Sequence, residues 1–326
     1  MDTPDITVII PTFNEENFIE SCLGGLIKQK TSLNFEVLII DGGSKDLTVE
    51  QAKKIQTQNI SPNIQIKILN NPQKRTPFAF NIGIEQARGG YIIILGAHTK
   101  IPSDWLQKSF DAIEGEPQNV AMAGGKLNNV TSKENKGPFS EAIGYAISTF
   151  WGGGVSQYRY SNTRQYVETA PFAIYRRSIF DTVGNFDTTF PIGQDGEMSA
   201  RIRKAGFRIL FDPNISANYY TRNSLKKLAK QMFQYGVART KIIRKHKTLR
   251  AVHLFPMILV SYLAAAPVLV FVNPLLATPL AAYVLATFIY SAGRPSSLVQ
   301  NFVSYATIHS MFGLGMFAGL LPGHQN

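Results

Sequence analysis

The feature that most constrains the fold is a long stretch without charge near the end of the chain. The 43 residues between Arg250 and Arg294 carry no charged side chain, and Arg294 is the only charged residue among the last 76. A helix needs about 20 apolar residues to cross the hydrocarbon core of a bilayer, so the stretch has room for two. Asn273-Pro274 at its midpoint predicts a tight turn. We therefore expect a helical hairpin with membrane spans at about 252–272 and 275–292.

Two points about this apolar region stay open. The hairpin could instead be a pair of helices buried in a large soluble core, although charge-free runs of this length are rare in soluble domains. Residues 298–320 are long enough to span, but they contain polar residues such as Gln300, Asn301 and His309. This last stretch is interpreted either as a third span or as a helix that lies in the membrane interface.

A basic segment comes immediately before the apolar region. Positions 222–250 hold ten lysines and arginines and no acid, whereas the residues before position 222 hold 22 basic and 22 acidic side chains. The net charge of +11 is therefore local. The order neutral, basic, apolar disfavours a nucleic-acid binder and is typical of a chain that meets anionic membrane lipids. We predict a head at 1–221, a basic amphipathic neck at 222–250 and a membrane domain at 251–326.

The same charges predict an orientation. The neck and Arg294 flank the predicted hairpin, and basic residues beside spans favour the cytoplasmic side.

The first residues show no signal peptide. The single cysteine, Cys22, excludes a disulfide within the chain, fits a reducing compartment and is interpreted as a small buried hydrophobe. We expect a multi-pass protein of the inner (cytoplasmic) membrane whose head faces the cytoplasm.

Strand and helix patterns alternate along the head. Apolar runs rich in β-branched residues occur at 6–10, 35–40, 65–69 and 91–95. Segments with the helical spacing of apolar residues separate them, at 18–27, 47–55 and 78–87. Thr76-Pro77 is the expected cap and first residue of the third helix. The alternation predicts an α/β fold with a mainly parallel sheet and helices on both faces, in which ligands bind outside the carboxyl ends of the strands.

Polar clusters follow three of these strands, at 11–16, 41–46 and 96–100. No G-x-G-x-x-G follows the first strand, which disfavours a Rossmann dehydrogenase, and the chain lacks G-x-x-x-x-G-K-[ST], which disfavours a P-loop NTPase. Asp41, with two glycines behind it, is suited to hold a ligand hydroxyl or amide. It is equally suited to form an Asx turn, with Ser44 as a helix cap, and the two interpretations are compatible.

Six motifs carry a resemblance when they are taken in order. They are Val8-Ile9-Ile10-Pro11-Thr12-Phe13-Asn14-Glu15; Asp41-Gly42-Gly43-Ser44 with Asp46; Asn71-Pro72 to Pro77 with Asn81, Gly83, Ile84 and Ala87; Gly193-Gln194-Asp195-Gly196-Glu197-Met198 with Arg201; Gln231-Met232-Phe233-Gln234-Tyr235-Gly236; and His309 with Phe312, Gly313, Gly315, Gly319 and Leu320. Together they resemble the family 2 glycosyltransferases of the GT-A fold, in the branch that makes bacterial exopolysaccharides of the succinoglycan type. The resemblance runs along nearly the whole chain. It implies a GT-A fold, with a mixed, mainly parallel sheet and helices on both faces, followed by C-terminal transmembrane helices.

The resemblance also implies a nucleotide-sugar site and a catalytic base. The residues implied to bind the donor, with Lys74 as the alternative to Arg75, are Pro11, Phe13, Glu15, Asp41, Arg75 and Ala97. Asp195 corresponds to the base that takes the proton of the acceptor hydroxyl; the alternative is a partner of the helix dipole only. Glu197 is interpreted as structural, and Gln194 stands where the family usually has glutamate.

A divalent cation, Mn²⁺ or Mg²⁺, is implied on the donor diphosphate. The family holds it with D-x-D or, in this branch, D-x-H, and the corresponding residues here are Gly96-Ala97-His98. The first acid is missing, so His98 is the one ligand that the motif supplies. Imidazole suits Mn²⁺ better than Mg²⁺. The alternative is that His98 hydrogen-bonds phosphate without a metal.

Three residues are candidates for the acceptor side. Trp151 ends an apolar segment at 139–151 and could stack on an acceptor sugar or pack within an amphipathic helix. Gln231 and Gln234 belong to the membrane-proximal motif. The basic neck is expected on anionic lipid, and some of its charges could hold the diphosphate of a lipid-linked acceptor.

These expectations combine into a function. The chain is predicted to be a membrane-anchored, inverting, hexosyltransferase-type enzyme that moves a sugar from a nucleotide donor, a UDP-sugar, to a lipid-linked or growing polysaccharide acceptor. One alternative is transfer to a simple lipid. Another is a degenerate, non-catalytic member that binds nucleotide-sugar or scaffolds a polysaccharide complex. A processive polymerase is disfavoured, because two or three spans are few for a translocation channel.

Overall fold

The computed structural model describes residues 3–58, 61–130, 137–154, 156–292 and 296–321. The chain divides into two compact units. The sheet unit comprises Met1–Asn128 and Ser161–Tyr219, and the helical unit comprises Asn129–Tyr160 and Tyr220–Asn326. The division expected after residues 221 and 250 remains a prediction. The structure's own division differs from it by assigning Asn129–Tyr160 to the helical unit.

Eight strands form one sheet in the order β3-β2-β1-β4-β7-β5-β8-β6. The strands are β1 (Ile6–Thr12), β2 (Phe35–Asp41), β3 (Ile64–Asn70), β4 (Tyr91–Ile94), β5 (Val120–Val130), β6 (Gln165–Tyr166), β7 (Ile174–Arg176) and β8 (Arg208–Tyr220). β1 pairs in parallel with β2 and with β4, and β2 pairs in parallel with β3. β7 runs antiparallel to β4 and β5, and β6 runs antiparallel to β8. The prediction of a mixed, mainly parallel sheet is confirmed.

Twelve helices are described. They are α1 (Ile19–Ile27), α2 (Thr48–Gln58), α3 (Thr76–Gln86), α4 (Trp105–Glu114), α5 (Ser140–Ile147), α6 (Phe150–Gly153), α7 (Ser178–Val183), α8 (Gln194–Lys204), α9 (Leu225–His246), α10 (Ala251–Val272), α11 (Thr278–Ser291) and α12 (Leu298–Ala318). Short 3₁₀ turns occur at Gln157–Arg159 and Pro274–Ala277. The three helices predicted between the first four strands are all present.

Both faces of the sheet are covered by helices. Successive side chains of a strand point to opposite faces. Val8 and Ile10 of β1 therefore pack with α1 and α4, while Ile9 packs with α3 and α8. The structure begins α3 one residue earlier than predicted. Thr76 is already helical and Arg75, with extended backbone angles of −106° and 141°, is the N-cap. Thr76 is thus not the cap, although Pro77 lies in the first turn as expected.

Cys22 lies on α1 and is 1 % exposed. Burial raises the pKa of its thiol to about 12, and the nearby charge of Glu15 adds to the effect. Only the thiolate is reactive, so Cys22 is inert at neutral pH. The interpretation of this residue as a small buried hydrophobe is confirmed.

The apolar region of the helical unit forms the expected hairpin. α10 ends at Val272, the side chain of Asn273 accepts a hydrogen bond from the Leu275 N–H, and α11 returns after the 3₁₀ turn. Within the described residues, Ala251–Val272 and Pro274–Ser291 are long and apolar enough to cross a bilayer. Their side chains are largely exposed, with Phe271 at 90 %. A buried soluble pair of helices would not present such a surface.

The last helix, α12, has a different character from the hairpin. It buries polar side chains, among them Asn301, Ser304 and His309. It is described as a helix, as expected, but it is not among the two candidate spans. Arg294, which supports part of the predicted orientation, lies outside the described residues.

α9 and α12 pack closely because glycines meet the opposite backbone. A Cβ on Gly315 would overlap the carbonyl oxygen of Phe233, and a Cβ on Gly236 would overlap that of Phe312. The Thr240 hydroxyl donates to the carbonyl of Met316 at 3.0 Å in the same interface. Close backbone approach of this kind is typical of small residues between membrane-type helices.

The interface predicts an asymmetry between two glycine-to-alanine changes. Gly315→Ala is expected to lower the free energy of unfolding by about 1–3 kcal/mol, because the methyl group forces the helices apart. Gly24→Ala on α1 is the matched control, because a Cβ there meets nothing within 4 Å. It should be neutral or stabilising by up to about 1 kcal/mol. Thermal unfolding of the full chain in detergent measures both, and an unchanged Tm in Gly315→Ala would contradict the close packing.

Candidate active site

The carboxyl ends of four strands meet at one edge of the sheet. The parallel register aligns Thr12 with Asp41, Asp41 with Asn70 and Ile9 with Ile94. The loops that follow β1, β2, β3 and β4 therefore leave the sheet side by side. The structure brings together at this edge the six residues expected to bind the donor and also His98.

Asp41 organises the loop that follows β2. It is 7 % exposed, and its Oδ2 accepts hydrogen bonds from the N–H groups of Gly43 and Ser44 at 2.8 and 3.0 Å. Its Oδ1 accepts the Ser44 hydroxyl at 2.6 Å. This is the expected Asx turn, but Ser44 is not a helix cap, because α2 begins only at Thr48 and the Ser44 hydroxyl bonds to Asp41 and Asn14. Because both oxygens are engaged by the protein, the observed role of Asp41 is to hold the turn, and its contact with a nucleotide stays a prediction.

The loop after β1 is locked to the loop after β2. Asn14 has a left-handed backbone with φ of 56°; its N–H donates to the Ser44 hydroxyl, and its side-chain oxygen accepts the Lys45 N–H, each at 2.9 Å. The Glu16 N–H donates to Asp46, and Glu15 N–H donates to the Thr48 hydroxyl at 2.7 Å. Asn14 and Thr48 were not predicted as site residues. Asparagine tolerates a left-handed backbone, which is the one local signal for Asn14.

Phe13 and Lys74 lie beside the two glycines of this turn. The Phe13 ring is 51 % exposed, and a Cβ on Gly42 would be 3.4 Å from it. The Lys74 side chain passes over Gly43, where a Cβ would be 3.7 Å from its Cε. The Arg75 guanidinium instead lies 6.0 Å from the centre of the Phe78 ring. The sequence left open whether Lys74 or Arg75 contacts the donor. Of these two residues, Lys74 is the one that lies beside the turn.

His98 faces Glu15 across neighbouring strand ends. Its Nδ1 lies 3.7 Å from Oε1 of Glu15, and the rings of Phe18 and Tyr219 flank it edge-on with centroids at 6.3 and 6.4 Å. Ala97 is 2 % exposed and packs in the core, so it can meet a donor through its backbone only. No cluster of three His, Cys, Asp or Glu residues occurs in the part of the chain that is described. Among the described His, Cys, Asp and Glu side chains, a cation at this edge would therefore have two ligands at most.

Asp195 lies in the first turn of α8. Gly193, with φ of 79°, caps the helix in the left-handed conformation that glycine allows. Asp195 is exposed, and its Oδ1 accepts a hydrogen bond from the N–H of Gly196 at 2.9 Å. Burial, together with the charge of Asp195, raises the pKa of Tyr175 in β7. The carboxylate of Asp195 is thus open to solvent and close to the sheet.

Glu197 has a different environment from Asp195. It is fully buried, and its carboxylate receives the Arg201 guanidinium at 2.8–3.1 Å. Arg201 also donates to the carbonyls of Val183 and Gly184 at the end of α7. Glu197 therefore joins α8 to α7, as expected of a structural residue. Gln194 donates to the carbonyl of Pro191 at 2.8 Å.

The acceptor-side candidates lie in the helical unit. The Trp151 indole stacks on Tyr290, with centroids 5.6 Å apart and planes at 8°, and its Nε1–H donates to the Thr287 hydroxyl. The packing interpretation of Trp151 is therefore the one that the structure supports, and stacking on an acceptor sugar stays a prediction. On α9, the Gln231 amide donates to the Tyr235 hydroxyl at 3.0 Å. A role in acceptor binding for Gln231 and Gln234 also stays a prediction.

Comparisons with known proteins agree with this geometry. Residues 7–184 match the model of the family described as glycosyl transferase family 2. The chain is 36 % identical over 245 residues, 74 % of each protein, to the dolichyl N-acetyl-α-D-glucosaminyl phosphate 3-β-D-2,3-diacetamido-2,3-dideoxy-β-D-glucuronosyltransferase of Methanococcus voltae. It is 29 % identical to the succinoglycan biosynthesis protein ExoA of Rhizobium meliloti, over 87 % of this chain and 83 % of that protein.

A solved structure supports the fold. The mannosyltransferase PcManGT from Pyrobaculum calidifontis, solved in complex with GDP-Man and Mn²⁺, superimposes with a TM-score of 0.61 at 16 % identity. The match covers 98 % of this chain and 88 % of that one. At this identity the likeness establishes the architecture of the chain, which is the GT-A fold that the sequence motifs implied.

The contrast between the two acids of α8 is testable. Glu197→Gln is expected to lower the free energy of unfolding by about 3 kcal/mol, because it leaves the Arg201 charge without its buried partner. Asp195→Asn, at an exposed position on the same helix, should change it by less than about 0.5 kcal/mol. Thermal unfolding of the full chain compares them directly. Equal Tm values for the two variants would rule out the structural role of Glu197.

Proposed function

Because the chain belongs to the family 2 glycosyltransferases, we propose that it is an inverting enzyme that moves a sugar from a UDP-sugar to a lipid-linked or growing polysaccharide acceptor. It acts from the cytoplasmic face of the inner membrane, in the synthesis of a cell-surface polysaccharide. The relatives support the class of reaction, since one is named for transfer to a dolichyl-phosphate-linked saccharide and another for succinoglycan biosynthesis.

One observation carries the proposal for the donor. Loops from adjacent parallel strands are joined by hydrogen bonds of Asn14 and Asp46, and an exposed Phe13 ring and the Lys74 cation lie beside the glycines of the turn after β2. An aromatic face is suited to a nucleoside, and a cation is suited to a diphosphate. The absence of side chains at Gly42 and Gly43 permits a ligand to approach the backbone closely.

Asp195 is the proposed general base. The acceptor hydroxyl attacks the anomeric carbon on the face opposite the nucleoside diphosphate, and the bond from that carbon to the diphosphate oxygen breaks. The hydroxyl proton passes to the Asp195 carboxylate, which is exposed and bonded only to a neighbouring N–H among the described residues. Lys74 and Arg75 would offset the negative charge that develops on the leaving diphosphate.

A divalent cation, Mn²⁺ or Mg²⁺, is proposed on the same diphosphate, where it would neutralise charge as the leaving group departs. The side chains at this edge can supply part of the coordination of such an ion, because the carboxylate of Glu15 and the imidazole of His98 face each other. The complex of the mannosyltransferase with GDP-Man and Mn²⁺ supports this proposal.

Membrane attachment is proposed through the hairpin of α10 and α11. α10 has 22 residues, which at 1.5 Å per residue is about 33 Å, enough to cross a hydrocarbon core of about 30 Å. The exposed basic residues of the neck, such as Lys226 and Lys227, are suited to anionic lipids beside it. Phe271 and Leu275, exposed at 90 % and 73 %, are at the turn of the hairpin.

Replacing Asp195 tests the catalytic proposal. Asp195→Asn is expected to reduce sugar transfer by about 10²–10⁴-fold, because general-base catalysis is lost, while binding of UDP stays unchanged. Asp181→Asn, an exposed acid on α7, is the matched control and should keep full activity. Transfer is measured with membranes across a set of nucleotide-sugars. Full activity of Asp195→Asn would refute the base assignment, and turnover of no donor by the wild type would refute the enzymatic proposal.

Introduced cysteines test the orientation, because the inert Cys22 leaves a single reactive thiol in each variant. Leu275→Cys in the hairpin turn is expected to react with a membrane-impermeant maleimide added outside intact cells. Lys226→Cys in the neck is expected to react only after the cells are lysed. The opposite pattern would reverse the proposed orientation, and protection of both until lysis would argue against a spanning hairpin.

A further inference from the structure

The acid that is missing at Gly96 has a substitute in the loop after β1. We infer that Glu15 and His98 together hold the divalent cation of the donor diphosphate, with Glu15 supplying the carboxylate ligand. This inference rests on the proposed function. It assigns to Glu15 a role that is different from lining the nucleoside pocket.

The distance between the two side chains is compatible with one shared ion. Oxygen and nitrogen ligands of such ions lie about 2.1 Å from the metal, so two of them on one ion can be no more than about 4.2 Å apart. Oε1 of Glu15 and Nδ1 of His98 are 3.7 Å apart. This separation is too long for a hydrogen bond between them. Adjacent ligands of an octahedral ion at about 2.1 Å are about 3.0 Å apart, so a small rotation of either side chain would bring the pair onto one ion.

The backbone of Glu15 is fixed by hydrogen bonds, and the side chains of both proposed ligands are partly exposed. The Glu15 N–H donates to Thr48, and its carbonyl accepts the N–H groups of Phe18 and Ile19 at the start of α1. Its carboxylate has no hydrogen-bond donor among the described residues, and its side chain is 23 % exposed. The His98 side chain is 47 % exposed, and the rings of Phe18 and Tyr219 lie edge-on beside it.

Neighbouring strands explain why the loops meet. β1 and β4 pair in parallel, and the Leu95 N–H extends the ladder to the carbonyl of Ile9. The residues that follow each strand consequently emerge next to each other. A carboxylate from the first loop can therefore reach, from the Nδ1 side, the same imidazole that an acid at Gly96 would have met from the Nε2 side, and the ligand set keeps one negative charge and one imidazole.

Gly96 leaves room for a direct test. A Cβ there would make only ordinary contacts, 3.4 Å from the Thr99 hydroxyl and 3.6 Å from Cε1 of His98. Gly96 is not among the described glycines with a positive φ, so an L-residue fits its backbone. Gly96→Asp would thus place a carboxylate on the other side of the same imidazole.

The ligand count predicts how the ion binds. With two protein ligands, most of the coordination must come from the diphosphate and water, so the ion should bind weakly alone and tightly with a nucleoside diphosphate. Imidazole favours Mn²⁺ over Mg²⁺. Mn²⁺ is therefore the probe, with UDP and GDP as the nucleotides.

The experiment titrates Mn²⁺ into the full chain in detergent, with and without UDP or GDP, and follows free Mn²⁺ by electron paramagnetic resonance. Glu15→Gln keeps the shape of the side chain and should raise the Kd for Mn²⁺ at least about tenfold. Spin-echo modulation from an imidazole nitrogen should be present in the wild type and lost in His98→Ala. Glu20→Gln on α1, an exposed acid nearby, is the matched control and should bind Mn²⁺ like the wild type.

Moving the acid provides the sharpest outcome. The double variant Glu15→Gln, Gly96→Asp is expected to recover Mn²⁺ affinity to within about threefold of the wild type, because a carboxylate again lies beside His98 and the ion can bind to Nε2 in place of Nδ1. UDP binding in EDTA should be the same in Glu15→Gln and the wild type. An unchanged Mn²⁺ Kd in Glu15→Gln overturns the inference. So does a loss of UDP binding in EDTA, which would make Glu15 a nucleotide contact.

The inference and the proposed function fail in different ways. If the wild type binds neither nucleotide, the proposed function is contradicted, while Mn²⁺ titrated alone still ranks the variants. If the wild type binds UDP and Mn²⁺ but Glu15→Gln does so equally well, only the assignment of Glu15 is wrong.

Discussion

The parallel pairing of β1 with both of its neighbours is the constraint on which the site depends. Hydrogen bonds between β1, β2 and β4 align residues so that three loops leave the sheet at one edge. The loops after β1 and β2 then bind to each other through the side chains of Asn14 and Asp46. Because backbone N–H groups of these two loops are satisfied within this network, the loop after β1 can hold the Phe13 ring outward, at 51 % exposure.

Four acids of the sheet unit differ in what already binds them. Asp41 and Glu197 are buried and receive hydrogen bonds on both oxygens, so they hold a turn and a helix junction. Glu15 and Asp195 are accessible, and no side chain donates a hydrogen bond to either carboxylate among the described residues. A carboxylate without strong internal partners is the kind that can bind an ion or accept a proton from a substrate. Burial and bonding therefore identify Asp41 and Glu197 as framework residues and leave Glu15 and Asp195 available for the proposed roles.

The C-terminal motif has a structural explanation. Its glycines let α12 contact the backbones of neighbouring helices, with Gly315 against α9 and Gly313 against α10. Its histidine, His309, lies within hydrogen-bond distance of the Trp151 carbonyl and the Tyr283 hydroxyl, which ties α12 to α6 and α11. The polar side chains that made this stretch ambiguous as a span are thus internal contacts of the helical unit. The apolar side chains of α10 and α11 are left facing outward.

The sequence by itself determined the order of the first four strands and the three helices between them, the hairpin with its turn at Asn273, and the family. Periodicity, caps and charge are properties of neighbouring residues, so they can be read without knowing the fold; even so, the start of α3 was wrong by one residue. Only the tertiary structure decided that Trp151 stacks on Tyr290, that Asp41 is saturated by its own turn, and that Glu15 faces His98 where the metal motif lacks its acid. Each of these depends on the distance between groups that strand pairing or helix packing brings together, and one-dimensional spacing does not contain that distance.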